Sequence, residues 1–552
     1  MDEQSIEDFE MRLNNNLYKI WNRMSSGTYF PQPVKAVAIP KKNGGTRILG
    51  IPTVEDRIVQ MVAKLYFCLL YTSLFTPILL SNMGNDEYGL YKLTVSWVSI
   101  ISVLDFGLGG TITRYVVKYR TQKDKEGEEN FLGMAFVIYA LLACSVLVIG
   151  ILASFILPNI SKSIPVNSQE TAQIAFIILV IKTALLLFNH AFTGWFTAYE
   201  LFTVNRLLAI SNIVLRLVLV GVLLPIITSI YTVVCIDAGL TLCQLIANFI
   251  YSRKKITVKV RMRIWDKVLA KEVLLFTSSL FFASVINQFN SNVDNIVLGI
   301  RSTTAIVGLY SCAMQIYVLY SSLSTAIQEV YLPSISRKVF SGSTNDEVTK
   351  SLIAPSRMQI CILFLALSGY FLFGEEFFRL WIGRSYASNE ITACYITGLI
   401  VMTSATLQLF QNTTTCVLKA KNMMRGRVII TGISTLVNFI ITISLVPVLG
   451  MYGAAIGTAI SMIFGYGVAV NIYYKVKVGI NTKLYFKETL QGLCLAGVIS
   501  TAIGLLIVLI PLSGTGAYIF KICLYVCVYC LCMLFIGLTQ TEKKTILLKF
   551  IK

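Results

Sequence analysis

The sequence has little charge for its length. Of its 552 residues, only 14% are charged and 55% are hydrophobic, whereas a soluble domain usually carries about a quarter charged residues. The mean hydropathy is +0.71. Water therefore cannot be the solvent for most of this chain. Length alone would suggest several soluble domains in succession. The composition excludes that organisation.

Histidine and acidic residues are also scarce. The chain has one histidine, His190, and 28 acidic residues against 47 lysines and arginines. Its 13 cysteines lie mostly within apolar runs, and the densest group has no histidine nearby. That group comprises Cys523, Cys527, Cys530 and Cys532. Small apolar helix residues are the favoured interpretation over a metal or redox site, so we expect no metal site, no cofactor and no catalytic residue.

Apolar runs of membrane-spanning length recur from about residue 65 to residue 537. Each is near the roughly 20 residues needed to cross about 30 Å of hydrocarbon. The runs are 65–81, 90–110, 131–157, 172–192, 207–227, 229–251, 273–300, 304–330, 357–374, 391–417, 427–447, 452–472, 490–511 and 516–537. The sequence therefore predicts an all-α, polytopic membrane protein with about 14 transmembrane helices.

Basic residues concentrate in every second loop. If the first span starts inside, the outside loops hold only Lys162, Arg301, Arg379 and Arg384. The inside loops hold many more, including Arg357 and the long basic loop at 252–271. Because positive residues mark the cytoplasmic side, this asymmetry predicts an even helix count and two cytoplasmic termini. The chain opens on acidic residues instead of a signal peptide, so we expect residues 1–64 to stay in the cytoplasm.

Several short motifs follow one another from Leu74 to the end of the chain. They are Thr76–Leu80, Gly84–Tyr91, Leu104–Gly109, Thr113–Tyr115, Asn292–Asn295, Gly308–Ser311, Leu332–Ser334 and Gly450–Thr458. Their order and spacing resemble Wzx-type polysaccharide flippases of the MOP superfamily. The resemblance implies two pseudo-symmetric six-helix lobes around a central cavity, with two extra C-terminal helices.

The same resemblance implies a function and its partners. The expected activity is export of an undecaprenyl-diphosphate-linked oligosaccharide across the bacterial inner membrane by alternating access. The expected partners are the lipid-linked oligosaccharide, membrane lipid, and a polysaccharide polymerase with its glycosyltransferases. The implied segments are a first lobe at 65–251, a basic linker at 252–271, a second lobe at 272–475, and two helices with a cytoplasmic tail at 476–552.

Residues from about 12 to 64 resemble a different family. The blocks Trp21–Phe30, Ile39–Arg47 and Gly50–Arg57 are similar to the first blocks of group II intron reverse transcriptases. That family's polymerase holds its metal ions on a Tyr-x-Asp-Asp strand, and this chain has no two adjacent aspartates. An RNA-directed DNA polymerase is therefore excluded. The segment at about 12–64 is interpreted as a solvated basic fragment, and we expect no nucleic-acid partner for it.

The two resemblances meet at a short hexapeptide. Residues 68–73 read Cys-Leu-Leu-Tyr-Thr-Ser. This hexapeptide can be encoded by the mosaic-end DNA sequence of a transposase that is used to prepare sequencing libraries. Because this hexapeptide lies where one family gives way to another, we hypothesise that the open reading frame is an assembly chimera. Residues 1–64 would then be a truncated fragment joined to a transporter.

Charged residues inside predicted spans are the candidates for transport. A charge near the bilayer centre costs at least about 2.5 to 3.5 kcal/mol, so it faces a cavity or a partner. Arg216 in the fifth span and Asp237 in the sixth either pair with each other, or Arg216 faces the cavity and binds the diphosphate. Lys182 in the fourth span is a weaker candidate for substrate binding, because its long side chain can reach the interface. Asp294 in the seventh span is a second weaker candidate for lining the cavity and binding the diphosphate, or it serves a coupling cation.

Two further charges bracket the basic end of the second span. For Asp105 and Arg114, an end cap or a gating ion pair is favoured over substrate contact. His190, near the end of the fourth span, is either a packed side chain or a proton relay, with packing favoured.

Two other transport functions remain open. One is a lipid II flippase, which also has fourteen helices. The other is a cation-coupled multidrug exporter of the same superfamily. Such exporters resemble a twelve-helix design, so the last two predicted spans argue against that function.

Overall fold

The computed structural model describes residues 13–26, 28–30, 35–41, 45–51, 54–105, 107–161, 163–512, 514–540 and 542–543. From residue 54 onward these residues are almost entirely helical. A helix satisfies its backbone hydrogen bonds internally, as a hydrocarbon environment requires. The predicted class of an all-α, polytopic membrane bundle is confirmed.

The described elements follow one another along the chain as one short helix, one hairpin and a helical bundle. They are α1 (Leu13–Ser25), β1 (Lys35–Lys41), β2 (Gly45–Ile51), α2 (Val54–Ile101), α3 (Leu108–Gln122), α4 (Lys125–Ile160), α5 (Gln169–Ala198), α6 (Phe202–Leu223), α7 (Ile230–Lys255), α8 (Lys267–Arg301), α9 (Thr304–Phe340), α10 (Asn345–Ile382), α11 (Ser388–Leu409), α12 (Thr414–Ala420), α13 (Met424–Leu449), α14 (Met451–Met462), α15 (Val470–Tyr473), α16 (Thr482–Leu490), α17 (Leu493–Val508) and α18 (Thr515–Cys532). We call α2–α7 the first half of the bundle and α8–α15 the second half.

Twelve segments of the described chain are long and apolar enough to cross a membrane. The first, Leu74–Thr121, includes a break in α2 at Gly84, where φ is 77° and ψ is 175°. Only glycine adopts this backbone conformation readily. The predicted span 65–81 therefore shares α2 with the next one, and the span 273–300 lies in α8, outside the twelve. The predicted count of about fourteen is thus approximate.

The N-terminal segment holds the elements that depart from an all-helical chain. β1 and β2 form an antiparallel hairpin. The Trp21 side chain of α1 is 68% exposed, so it does not pack into the bundle. Near the start of α2, Glu55 lies 3.0 Å from Arg23, and Asp56 accepts a hydrogen bond from the Tyr29 hydroxyl. The described contacts of this segment are therefore with the beginning of α2.

The two halves of the bundle meet most extensively where α2 packs on α9. A Cβ atom on Gly89 would collide with the Thr304 carbonyl oxygen, and Gly308 faces Gly89. Such close approach of small residues is how helices associate in a bilayer. Next to it, Gln315 donates to the Tyr88 hydroxyl at 3.0 Å. The Gly84–Tyr91 motif therefore forms a joint between the halves.

Arg357 fastens the C-terminal helices to the second half. Its guanidinium donates to both carboxylate oxygens of Glu542, at 2.7 and 2.9 Å. It also donates to the backbone carbonyls of Glu488, Gln491 and Gly537, at 2.8, 2.9 and 2.9 Å. The sequence predicts Arg357 in an inside loop. That prediction was wrong, because α10 begins twelve residues before Arg357, where the side chain is buried.

We call these hydrogen bonds of Arg357 to Glu542 and to the backbone carbonyls the Arg357 clamp. The Glu542 carboxylate stays charged in it. Burial raises the pKa of Glu542, but hydrogen bonds from Arg357 and from Thr539 lower it by more, so the pKa lies below its ordinary value of 4.5. A group whose pKa is lowered on folding contributes stability above its unfolded pKa. The clamp's contribution is therefore present above pH 4.5 and is lost as the pH falls through the folded pKa.

Replacing Arg357 by Leu is expected to destabilise the folded protein by about 3 to 5 kcal/mol, because removing one partner of a buried pair leaves the other uncompensated. Arg379→Leu is the matched control, since Arg379 lies on the same helix but pairs with Glu375 at a 49% exposed site. That pair is worth less than about 1 kcal/mol. Thermal unfolding in detergent measures both variants. Equal losses of stability in the two variants would contradict the stabilising role of Arg357.

Candidate functional site

Three charged side chains meet between α5, α6 and α7. Arg216 of α6 donates to the two carboxylate oxygens of Asp237 of α7, at 2.5 and 3.0 Å. The Lys182 amine of α5 lies 2.9 Å from the same carboxylate. The Asp237 side chain is 2% exposed, whereas Arg216 and Lys182 keep 22% and 29% exposure. The Asp237 carboxylate is therefore buried between the three helices, whereas the side chains of Arg216 and Lys182 are partly exposed.

Arg216 has uncharged partners as well. Its Nη2 donates to the Tyr91 hydroxyl at 2.9 Å, and its guanidinium lies 4.6 Å from the centroid of the Phe75 ring. Of the two arrangements that the sequence left open for Arg216, the pair with Asp237 is present. Because Lys182 shares that carboxylate, the three side chains keep one net positive charge. The ion pair therefore coexists with a partly exposed cation.

Lys92 of α2 belongs to the same region, although the sequence analysis did not single it out. Its amine lies 5.3 Å from the centroid of the Tyr88 ring. It lies close enough to Arg216 and to Cys312 of α9 to interact with them electrostatically. The sequence signal was weak, since Lys92 is the third residue of the predicted span 90–110, and a lysine near a helix end can reach the interface.

Asp294 of α8 lies in the second half among uncharged partners. Its carboxylate accepts hydrogen bonds from the Tyr310 hydroxyl and from Thr458, both at 2.7 Å. Asn438 and Thr442 donate at 3.2 and 3.5 Å. The side chain is buried, and a buried charge is normally paired with another charge or with a metal ion. Oxygen-rich surroundings of this kind suit a hard cation.

The remaining predicted residues lie toward the opposite end of the first half from Gly84. Asp105 follows α2 in a 3₁₀ turn, and its carboxylate lies 3.0 Å from Nδ1 of His190 on α5. The guanidinium of Arg114 lies 5.9 Å from the centroid of the adjacent Tyr115 ring. The structure thus gives Asp105 a contact with the one histidine, and a gating role for Asp105 and Arg114 stays a prediction.

No built metal centre accompanies these charges. Within the described ranges, no group of three or more His, Cys, Asp or Glu side chains is placed to hold a metal ion. Cys523, Cys527 and Cys530 are exposed on α18, whereas Cys532 is buried. The side chains that could act on a substrate are therefore the charged groups on α2, α5, α6, α7 and α8.

One protein family matches the chain over half of its length. Its description is polysaccharide biosynthesis protein, and the match covers residues 58–339. The match begins before Leu74, where the motif resemblance starts, and continues through residues 68–73 to the end of α9.

Relatives with curated descriptions fall into two groups, flippases and intron-encoded proteins. The probable flippase AglR of Haloferax volcanii is 30% identical over 183 residues, which are 32% of this chain and 37% of that protein. The probable low-salt glycan biosynthesis flippase Agl15 of the same organism is 22% identical over 436 residues, covering 76% of this chain and 83% of that protein. The group II intron-encoded protein LtrA of Lactococcus lactis is 38% identical over 61 residues, which are 11% of this chain and 10% of that protein.

Solved transporter structures share the fold. The lipid II flippase MurJ in an inward closed conformation superposes with a TM-score of 0.70 at 15% identity, covering 90% of this chain and all 100% of that one. An inward-facing multidrug resistance MATE family transporter of the MOP superfamily gives a TM-score of 0.60 at 16% identity, covering 74% of this chain and 96% of that one. At these identities the likeness concerns the fold alone.

Proposed function

We propose, from the premise that this chain belongs to the polysaccharide biosynthesis protein family, that it flips an undecaprenyl-diphosphate-linked oligosaccharide across the membrane. The observation that carries the proposal is the pair of cations Lys182 and Arg216 on the Asp237 carboxylate, with Lys92 close to Arg216, inside a helical bundle. A diphosphate with hydrated sugars cannot cross hydrocarbon unaided, because its desolvation is prohibitive. Fixed cations in a water-filled cavity remove most of that penalty.

The four side chains divide the work of holding the diphosphate. The planar guanidinium of Arg216 matches two phosphate oxygens at once, and the amines of Lys182 and Lys92 act as point charges. Asp237 holds Arg216 and Lys182 in position through the contacts already described. The polyprenyl tail meanwhile stays in lipid.

Alternating access supplies the movement. It requires two arrangements of the halves that have similar free energies, each favoured by a different ligand. The joint at Gly89 and Gly308 is where such a movement has to be accommodated. We assign to Asp294 the binding of a coupling cation, because its buried carboxylate has only uncharged hydrogen-bond partners among the described residues.

The proposal places the protein in the bacterial inner membrane with both termini in the cytoplasm. The basic loop between α7 and α8 then faces the cytoplasm as well, as the positive-inside rule expects. Reporter fusions at residues 256–266 test this topology. A periplasmic signal from that loop would overturn the whole helix orientation.

We expect the protein to catalyse no chemical reaction. Its ligands are the lipid-linked oligosaccharide and membrane lipid. A polysaccharide polymerase and glycosyltransferases are the expected neighbours, because they respectively consume and supply that substrate.

A lipid II flippase is the second candidate, because such flippases share this fold and the fold alone does not distinguish the two substrates. Expression in two strains distinguishes the candidates. One strain lacks its polysaccharide flippase and the other is depleted of its lipid II flippase. We expect restored surface polysaccharide in the first strain and no restored growth in the second. Drug resistance without either rescue would favour a multidrug exporter.

The N-terminal segment carries a separate proposal. We propose that most of residues 1–64 is foreign to the transporter, up to residue 58 where the family match begins. The 61-residue match to an intron-encoded protein and the exposed Trp21 side chain support this proposal. Amplification of the source DNA across codons 60–80 tests this. One continuous product, with uniform coverage by sequencing reads, would make the fusion genuine.

A further inference from the structure

One side of α6 is polar over about 16 Å of its length, at 1.5 Å per residue. Asn205, Asn212 and Arg216 are spaced so that all three lie on this side. Exposed apolar side chains occupy the other side, namely Leu207, Ile210, Val214 and Val218. Within α6, which the structure describes in full, Val220 alone is buried. The three polar residues are half-buried because they contact α5 and α7, whereas the apolar side is exposed.

The amides on this side have hydrogen-bonding capacity to spare. Asn212 donates to the Gln244 carbonyl of α7 at 3.0 Å, and Asn205 donates to the Thr197 hydroxyl of α5 at 3.3 Å. For the described part of the chain, these bonds leave the Gln244 amino group and the Asn212 carbonyl without another protein partner. All three amides are half-exposed. Amides are costly to expose to hydrocarbon, so this side faces water.

The long helix α13 of the second half is packed differently. α13 buries Thr435, Asn438 and Thr442, and two of these bond to Asp294. The polar side of α13 is thus used inside its own half, whereas that of α6 remains available to a ligand.

We propose that the polar side of α6, with Gln244 and Thr197, binds the uncharged sugar part of the substrate. This inference rests on the proposed function, since the sugar is that of the lipid-linked oligosaccharide. An amide donates and accepts hydrogen bonds together, as sugar hydroxyls do. Arg216 holds the diphosphate at one end of the row, and the sugar extends from there toward Asn205 and the loop that precedes α6.

The test compares binding of two probes by the full chain in lipid nanodiscs. The probes are undecaprenyl diphosphate and undecaprenyl-diphosphate-N-acetylglucosamine. We expect the sugar to raise the affinity of the unchanged protein at least tenfold. In the double variant Asn212→Leu/Gln244→Leu, which removes both members of the pair, the two affinities should become nearly equal. Asn471→Leu, a half-buried asparagine of the second half, is the control and should keep the full ratio.

The outcomes separate this inference from the proposed function. Arg216→Ala should weaken both probes while the ratio between them stays the same. An unchanged protein that binds neither probe would refute the proposed function. If the sugar adds no affinity, or if the double variant keeps the full ratio of the two affinities, the proposal that the polar side of α6 binds the sugar is refuted. The proposed function is then unaffected.

Chemical labelling gives a second readout. With a membrane-impermeant maleimide and detection at the residue by mass spectrometry, Asn212→Cys should label and Val214→Cys should not. The sugar-bearing probe should slow labelling of Asn212→Cys at least severalfold, and undecaprenyl diphosphate should slow it less. Absence of labelling at both positions would mean that this side of α6 faces lipid, and the inference would fail.

Discussion

Replacing Arg216 by Ala is expected to abolish oligosaccharide transport while leaving the amount of protein in the membrane nearly unchanged. The abundance should hold because Asp237 keeps its contact with Lys182. Transport should fail because the planar donor fork for the diphosphate is gone. Arg216→Lys should retain part of the activity, since it preserves the charge. Complementation of a flippase-deficient strain, with membrane abundance measured in parallel, tests these expectations.

Asp237 provides the control for this prediction. Asp237→Leu leaves Arg216 and Lys182 without their shared carboxylate, and two neighbouring like charges in a partly buried site destabilise the folded protein. Its abundance should fall. The double variant Arg216→Leu/Asp237→Leu should regain abundance but not transport, because the two effects are coupled. Restored transport in the double variant would leave Arg216 as a structural residue only.

Asp294→Asn is expected to remove transport and cation-dependent stabilisation together. A ligand that binds only the folded state stabilises it by about 2.7 kcal/mol at a hundredfold excess over Kd. The unchanged protein should therefore melt at a higher temperature when its coupling cation is added, with sodium, potassium and protons compared separately. The Asn variant should show no such rise, because it lacks the carboxylate charge that the four uncharged donors surround.

Asp346→Asn is the matched control for Asp294. Asp346 is exposed in the first turn of α10, so its variant should retain both transport and the melting response. Wild-type transport by Asp294→Asn would contradict the assignment of a cation to this carboxylate.

The positions of the helices were largely predictable, because length and hydropathy are local properties of the sequence. Their ends were not. The predicted span 357–374 is the middle of α10, whose helix begins at Asn345 with a capping box between Thr344 and Glu347. The hydropathy of a span does not report such polar turns. The break at Gly84 likewise depends on a backbone conformation with positive φ, which sequence hydropathy does not encode.

The candidate site was predictable residue by residue, but its connections were not. Insertion cost identifies Arg216, Asp237 and Asp294 because each charge lies within an apolar run. It does not reveal that Lys182 shares the Asp237 carboxylate or that Asp294 is surrounded by uncharged donors. Those contacts join helices that are distant in sequence. Lys92 gave no such signal, because it lies at the start of the predicted span 90–110, where a lysine can reach the interface.

The most direct test of the account is transport by the purified protein in liposomes that contain an undecaprenyl-diphosphate-linked oligosaccharide. A membrane-impermeant glycosidase added outside reports how much of the glycan has reached the outer leaflet. The account predicts that liposomes with the unchanged protein lose nearly all protected glycan, whereas those with Arg216→Ala keep the fraction that faced inward at the start. A protected fraction in the unchanged protein equal to that of protein-free liposomes would contradict the account.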